Sequence, residues 1–239
     1  RYSGSQQIVT DQNGSSYRLR EAGRGNGIQT MNLKGSTNVG TAVDFTNAST
    51  TWQLAGTDNA ATDSHWATEM TYDYYSKVHN RNSIDNAGFK LINYVHYDKN
   101  LFNAYWNGQY MVYGDGSTNQ TPLTAVDIGG HEMTHGLTER SAGLAYQNES
   151  GALNESFSDI LGTCVEFYAK PTDANWDIGE DVGALRNMQN PKSHQQPDTY
   201  KGQQWYTGTG DNGGVHYNSG VQNRWFYVLV SGAKGTNDL

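Results

Sequence analysis

His131-Glu132-Met133-Thr134-His135 is the stretch around which the rest of the chain can be organised. It makes chemical sense on a helix. At about 3.6 residues per turn, positions four apart stand one above the other, so His131 and His135 share a face as two nitrogen ligands. Glu132 lies about 100° around from His131, near enough to serve a metal-held water without entering the coordination sphere. Two His and an adjacent Glu at this spacing are the parts that zinc-assisted hydrolysis needs. An exposed helix with two satisfied histidines would show the same five residues, so the rest of the chain has to decide.

Working outward, the first requirement is a third ligand, because catalytic zinc takes three protein ligands and keeps one position open. Asn154-Glu155-Ser156-Phe157-Ser158-Asp159 offers Glu155, one loop beyond His135, and an antiparallel helix pair would bring it to both His. Asp159 is one turn further on the same face, placed to accept the far N–H of a ligating His and fix its tautomer. The spacing of Ala152, Leu153, Phe157, Ile160, Leu161, Cys164, Val165 and Tyr168 predicts an amphipathic helix stopped by Pro171.

Before these two helices the texture is β. Gln7–Thr10 and Ser16–Leu19 flank Asn13-Gly14, and Asn103–Trp106 and Gln109–Tyr113 flank Asn107-Gly108. Both pairs predict hairpins, on the expectation that Asn and Gly together fill the two positive-φ turn positions. Asn103 before Ala104 suggests an edge strand able to take an extended peptide. Ile28–Leu33 and Phe89–Tyr97 read as further strands, and residues 34–60 as irregular. Trp66, Met70, Tyr74 and Val78 mark one helix, whose flanking His65 and His79 are read as structural. Residues 183–215 read as loop, and a last helix begins near Ser219. The composition shift near residue 120 predicts an α+β fold of two lobes: residues 1–120, β-rich with one long helix, and residues 121–239, helical and zinc-binding, with the active-site helix between them.

The bulk properties narrow the function. Net charge is −8 and charged residues make up 17% of the 239, without a basic stripe, which excludes nucleic acid and anionic membrane as expected partners. No apolar run approaches the roughly 18 residues of a membrane span. Cys164 is the single cysteine, so no internal disulfide is possible, and it reads as a small buried hydrophobe. The opening Arg1-Tyr2 suits a mature secreted protein and a cytosolic one alike, and composition leaves the compartment open.

These motifs resemble the thermolysin family of neutral zinc metalloendopeptidases, the gluzincins. The resemblance rests on His131–His135 followed by Asn148–Glu155, on Tyr72-Asp73-Tyr74-Tyr75 with Val78-His79-Asn80-Arg81, on Met111–Gly116, on Asp211–His216 and on Asn218-Ser219-Gly220. It runs nearly from end to end. It implies a secreted endopeptidase that cuts peptide bonds on the amino side of apolar residues, with one catalytic zinc on His131, His135 and Glu155. Glu132 would take a proton from the zinc-bound water and pass it to the leaving amine. Tyr146 and His216 would donate to the oxyanion, with Asp211 orienting His216. Asn103, Ala104 and Trp106 would hold the peptide, Arg186 a substrate carbonyl, and Ile128 and Leu185 would line the pocket for an apolar residue. Asp127, Glu166, Asp177 and Glu180 match one calcium site of the family. Peptides or proteins are the implied partners, and a monomer is expected.

Three departures from the family pattern carry expectations. The loop Lys170–Asn175 is one residue longer than usual and Asn175 replaces an Asp, which speaks against a paired second calcium. The loop around Gly183-Ala184 is short, so a further calcium site is expected to be absent and heat stability lower than in the most stable members. The sequence stops at Gly235–Leu239, before further helices of the family, which suggests a nicked or truncated product with a separate or lost C-terminal fragment. Two other readings follow from the residues: a non-catalytic fragment that binds zinc and peptides, and a zinc amidase acting on cell walls, which the Asn103-Ala104 edge disfavours.

Overall fold

The computed structural model describes residues 1–117 and 120–239. Its architecture is α+β, with the strands concentrated in the first half and the helices in the second. The strands are β1 (Asp11–Asn13), β2 (Ser16–Arg18), β3 (Arg20–Glu21), β4 (Ile28–Asn32), β5 (Val43–Asp44), β6 (Thr46–Asn47), β7 (Leu91–Val95), β8 (Ala104–Trp106), β9 (Met111–Tyr113), β10 (Asp177–Ile178) and β11 (Arg186–Asn187). The α-helices are α1 (Asn59–His79), α2 (Val126–Glu139), α3 (Asn148–Ala169), α4 (Asp211–Asn218) and α5 (Gly220–Ser231).

The main sheet runs β3-β4-β7-β9-β8, with β5 also on β4. β4/β7 and β7/β9 are parallel and β8/β9 antiparallel. A parallel pair needs a long crossover, and α1 lies in the one from β4 to β7. Leu91, Asn93 and Val95 alternate inward along β7, the period-2 pattern of a strand with one buried face. Leu19, Ile28, Leu91, Val95, Met111, Ile128 and Met133 form the core between sheet and helices, each such side chain contributing about 1.5–3 kcal/mol on burial. Trp66, Tyr75, Val126 and Val165 join α1, α2 and α3 in a second cluster.

Both hairpins form, but the turn expectation is corrected. Asn13 pairs with Ser16 and Asn107 N–H donates to the Tyr110 carbonyl at 3.2 Å, so each Asn precedes the turn rather than filling it. Only Gly14 (φ 63°) and Gly108 (φ 95°) take positive φ in these turns. Glycine at the first central position is the type II′ requirement, which needs one positive φ and not two. The Asn107 carboxamide instead caps the turn by accepting from Gln109 and Tyr110 N–H. His65 is structural as expected: it is fully buried between the Thr30 hydroxyl and the Val9 carbonyl, and burial lowers its pKa to about 4.

The predicted loop 183–215 ends earlier than expected, because α4 begins at Asp211. Its first four residues, Asp211 to Gly214, have φ of 50°, 51°, 85° and 82°, a left-handed turn that Asn and Gly tolerate best. Right-handed helix follows only from Val215. On α5, Trp225, Leu229 and Val230 are exposed. Among the described residues no helix is long and apolar enough to cross a membrane.

Candidate metal centre

α2 and α3 pack antiparallel. Gly130 meets Gly162, His131 meets Asp159, and His135 meets Asn154 and Glu155. The approach is close because Gly162 has no side chain: a Cβ there would stand 2.5 Å from the Asp127 carbonyl and 2.9 Å from His131 N. That contact presses the two imidazoles against the carboxylates of α3.

Three donors converge. His131 Nε2 and His135 Nε2 are 3.0 Å apart, Glu155 Oε2 is 3.5 Å from the first and Glu155 Oε1 3.3 Å from the second. Ligands about 2.0–2.1 Å from a tetrahedral centre stand about 3.3–3.4 Å from one another, so the spacing fits one zinc ion. The donor chemistry fits as well. Glu155 Oε2 is buried without a hydrogen-bond partner, which a structure tolerates rarely unless a further group belongs there. Burial opposes ionisation of Glu155, but His131 and His135 override it and hold the carboxyl well below its usual range. Burial also disfavours a charged His135, yet the Glu155 carboxylate lifts its pKa to about 9. A metal cation held there would take the place of that proton and answer the same carboxylate.

His131, Glu132 and His135 form a second possible triplet, with donor atoms all within 4.8 Å of one another. Glu132 differs from Glu155 in being engaged already: its Oε2 accepts from Trp106 N–H at 3.1 Å. Burial, opposed by His131 and His135, leaves its pKa raised. The outer contacts orient the imidazoles. His131 Nδ1 is 2.8 Å from Asp159 Oδ1, and His135 Nδ1 is 2.7 Å from Asn154 Oδ1 and 3.1 Å from Ser158 Oγ. Arg186 donates to Asp159 through Nε and Nη2, at 2.8 and 2.7 Å, and Asn223 adds a bond at 2.8 Å.

On the other side of Glu155, the Tyr146 hydroxyl donates to Oε1 and lies 3.2 Å from His216 Nε2. Burial and then the Glu155 charge raise the Tyr146 pKa, keeping it an O–H donor. The left-handed turn at the start of α4 folds Asp211 beneath His216, whose backbone N–H and Nδ1 meet its carboxylate at 2.8 and 2.6 Å.

His131, Glu132, His135, Tyr146, Glu155 and His216 open on one cleft of about 700 Å³, bounded by the edge strand on one wall and by Ile128, Leu185 and Arg186 on another. The register of that edge follows from its hydrogen bonds. Asn103 O accepts from Gly114 N–H at 3.0 Å and Asn107 N–H pairs with Tyr110, so odd-numbered residues face β9. By alternation Ala104 and Trp106 turn their backbone groups to the cleft, where Ala104 N–H is capped by the Asn103 side chain at 3.0 Å.

Of the other predicted metal set, Asp127, Glu166 and Glu180 act on one another electrostatically toward the other end of the α2–α3 pair. Asp127 and Glu166 are buried. Burial, then Glu180, raises the Asp127 pKa to about 6; burial, then Asp127 and Glu180, raises Glu166 to about 9. One oxygen each of Glu166 and Glu180 is buried without a partner. Asp177 is tied to Asn187, and Asp127 to Gly179 N–H. The Lys170 ammonium stands 3.5 Å from both Glu166 and Asp181.

Sequence reasoning missed several of these positions. Asn154 and Ser158 share a face at i, i+4 beside Glu155, a spacing that could have found them. Asn223 and Lys170 carry no such signal.

The comparisons with known proteins show the family and the fold. The family described as "Thermolysin metallopeptidase, catalytic domain" matches residues 1–139, and "Thermolysin metallopeptidase, alpha-helical domain" matches residues 142–238. A bacillolysin from Brevibacillus brevis is 44% identical over 238 residues, covering 95% of this chain and 42% of its own. A bacillolysin from Bacillus cereus is 47% identical over 235 residues, covering 94% and 40%. A thermolysin from Alicyclobacillus acidocaldarius is 48% identical over 189 residues, 75% of this chain and 34% of its own. The chain thus spans about two fifths of the length of the bacillolysins. Among solved structures, the precursor of protealysin from Serratia proteamaculans superposes with a TM-score of 0.76 at 33% identity, over 95% of this chain and 72% of that one.

Proposed function

Because the chain belongs to the thermolysin metallopeptidase family, we propose that it is a secreted zinc-dependent endopeptidase that hydrolyses peptide bonds on the amino side of apolar residues. The observation that carries this reading is the convergence of His131 Nε2, His135 Nε2 and the Glu155 carboxylate, whose Oε2 is buried without a hydrogen-bond partner 3.5 Å from His131 Nε2. His131, His135 and Glu155 hold the zinc. When bound, zinc supplies a Lewis acid that polarises the scissile carbonyl and lowers the pKa of water to about 7.

The remaining roles belong to the chain. An extended peptide adds to the edge of β8, exchanging backbone hydrogen bonds with Ala104 and the Trp106 carbonyl, while Asn103 releases Ala104 N–H to it. Glu132, with its pKa raised by burial, accepts the proton of the attacking water and delivers it to the amine as the C–N bond breaks. Tyr146 and His216, the latter oriented by Asp211, donate to the oxygen that becomes negative in the transition state. Asp159 fixes the tautomer of His131. Arg186, anchored on Asp159 through two nitrogens, turns the third toward a substrate carbonyl. Ile128 and Leu185 shape the apolar subsite. The cleft lies between a β-rich lobe, residues 1–120, and a helical lobe, residues 121–239.

Asp127, Glu166, Asp177 and Glu180 would hold one calcium, whose oxygen-only coordination suits acids supplied by α2, α3 and the segment Asp177–Glu180. The ammonium of Lys170 beside Glu166 and Asp181 argues against a second.

Glu132→Gln on the zinc-loaded protein tests the reading. Hydrolysis should fall by at least about 10²-fold, the low end of what a positioned acid–base contributes, with zinc content unchanged. Near-normal activity would refute the mechanism. A second reading, zinc and peptide binding without turnover, draws on the exposed apolar face of α5, where Trp225 and Leu229 are 57% and 63% exposed. Chelator-sensitive hydrolysis of casein excludes it.

A further inference from the structure

α2 places Glu132 and Glu139 seven residues apart, about two turns along one stripe. Both carboxylates end on the same residue of the edge strand. Glu132 Oε2 accepts from the Trp106 backbone N–H at 3.1 Å, and Glu139 Oε2 from the Trp106 indole N–H at 2.9 Å. The indole is held from its other sides too. Gly136 lies between the two acids, and a Cβ there would stand 3.0 Å from the ring. Phe89 meets the indole edge-on with centroids 6.0 Å apart. The Arg140 guanidinium sits 4.5 Å from the Phe89 centroid and 5.3 Å from that of Trp106. The same guanidinium bonds Glu139 Oε2 at 3.2 Å and the Gly108 carbonyl at 2.9 Å. Glu139 itself stands on the cleft rim, 54% exposed, and the chemistry above gives it no task.

We propose that Glu139 is a positioning residue. By anchoring the Trp106 indole it fixes the Trp106 backbone N–H, and through that bond the orientation of the Glu132 carboxylate in the cleft. The anchor acts at two points of one residue, its backbone N–H on Glu132 and its indole N–H on Glu139, so tying the ring to α2 restrains the motion of the backbone that carries the first bond. The inference rests on the reading of Glu132 as the proton-transfer base. Displacing a reacting group by about 1 Å can cost on the order of 10²-fold in rate, and loosening one of its supports should cost part of that.

The test compares the zinc-loaded wild-type protein with Glu139→Ala, Glu139→Gln, Trp106→Phe and the Glu139→Ala/Trp106→Phe pair. Glu139→Ala should lower kcat by about tenfold, with KM, zinc content and Tm close to wild type. Glu139→Gln keeps an oxygen that accepts from the indole and should restore most of the loss. Trp106→Phe keeps the backbone N–H but lacks the indole donor, so adding Glu139→Ala to it should change little further. Hydrogen exchange followed by NMR gives a readout free of activity: in Glu139→Ala the indole N–H and the backbone N–H of Trp106 should both exchange faster. The proposal is overturned if Glu139→Ala leaves kcat unchanged, if its loss is the same with Phe at position 106, or if only the indole exchange speeds up. A wild-type protein with no hydrolysis would count against the peptidase reading, and the two exchange rates would still decide the anchor.

Discussion

Two acidic clusters lie toward opposite ends of the α2–α3 contact, and they are built on opposite principles. At Glu155 and Asp159 the chain sets nitrogen groups against each buried carboxylate: His131 and His135 for the first, Arg186 and His131 for the second. Both carboxyls are held below their usual range despite the burial that opposes it. At Asp127 and Glu166 burial and mutual repulsion act together, and both acids are pushed up, to about 6 and about 9. In the first cluster imidazole and guanidinium groups offset the buried carboxylates, and one Glu155 oxygen is still left without a hydrogen-bond partner. The second is incomplete, and a cation there adds stability. On the proposed reading, one metal would serve turnover and the other would hold the fold.

The largest effect that could break this contrast is at Glu155. Glu155→Ala should abolish bound zinc and hydrolysis together, while Tm measured in calcium falls little compared with the loss of activity. Retained zinc would show that Glu132 completes the triplet instead. His216→Ala should keep the zinc and lower kcat by about 10²–10³-fold, the usual cost of one oxyanion donor; an unchanged kcat would remove His216 from the reaction. Calcium chelation should act the other way, lowering Tm by several degrees before it lowers turnover of the still-folded protein. A Tm unaffected by calcium removal would sink the claim that the second cluster matters.

The pH dependence sharpens the contrast further. Groups whose folded pKa is raised stabilise the fold below their unfolded pKa, and that stability is lost as pH rises through the folded value. Without calcium, therefore, Tm should fall between about pH 4 and 9 as Asp127 and then Glu166 are forced to ionise. Calcium should flatten that slope by stabilising the ionised acids. Glu69, raised to about 7 mainly by burial, contributes a slope of the same sign in both conditions, so the difference between the two curves is the quantity to measure. Lys170→Gln gives the smallest effect. It should lower Tm by about 2 °C or less in calcium, and by more in its absence, where the ammonium is the nearest counter-charge to Glu166.

How much of this was legible in the residues depends on how local the signal is. His131, Glu132 and His135 sit within one turn and a half of helix, so their spacing alone declares a metal face. Glu155 and Asp159 needed one further assumption, an antiparallel helix pair, which Gly130 and Gly162 make possible by letting the backbones touch. Tyr146, His216 and Arg186 reach Glu155 or Asp159 from distant segments, and nothing in their own neighbourhood marks them; only the resemblance to a family singles them out. The hairpins show a subtler limit. Asn-Gly marked both turns, yet the sequence pattern could not say that Asn stands outside the turn and Gly alone takes positive φ. The left-handed run at Asp211–Gly214 was hidden for a related reason, since Asn and Gly permit that conformation without requiring it. Glu139 was invisible because its partner is an indole brought up by a different strand.

The most direct test of the account is hydrolysis of an unstructured protein by this chain, with bound zinc counted on the same sample before chelation, after it and after zinc is restored. The account predicts one zinc per chain, hydrolysis that disappears with the metal and returns with it, and cleavage before apolar residues. A folded chain carrying one zinc and cutting nothing, or one that cuts equally well without it, would contradict it.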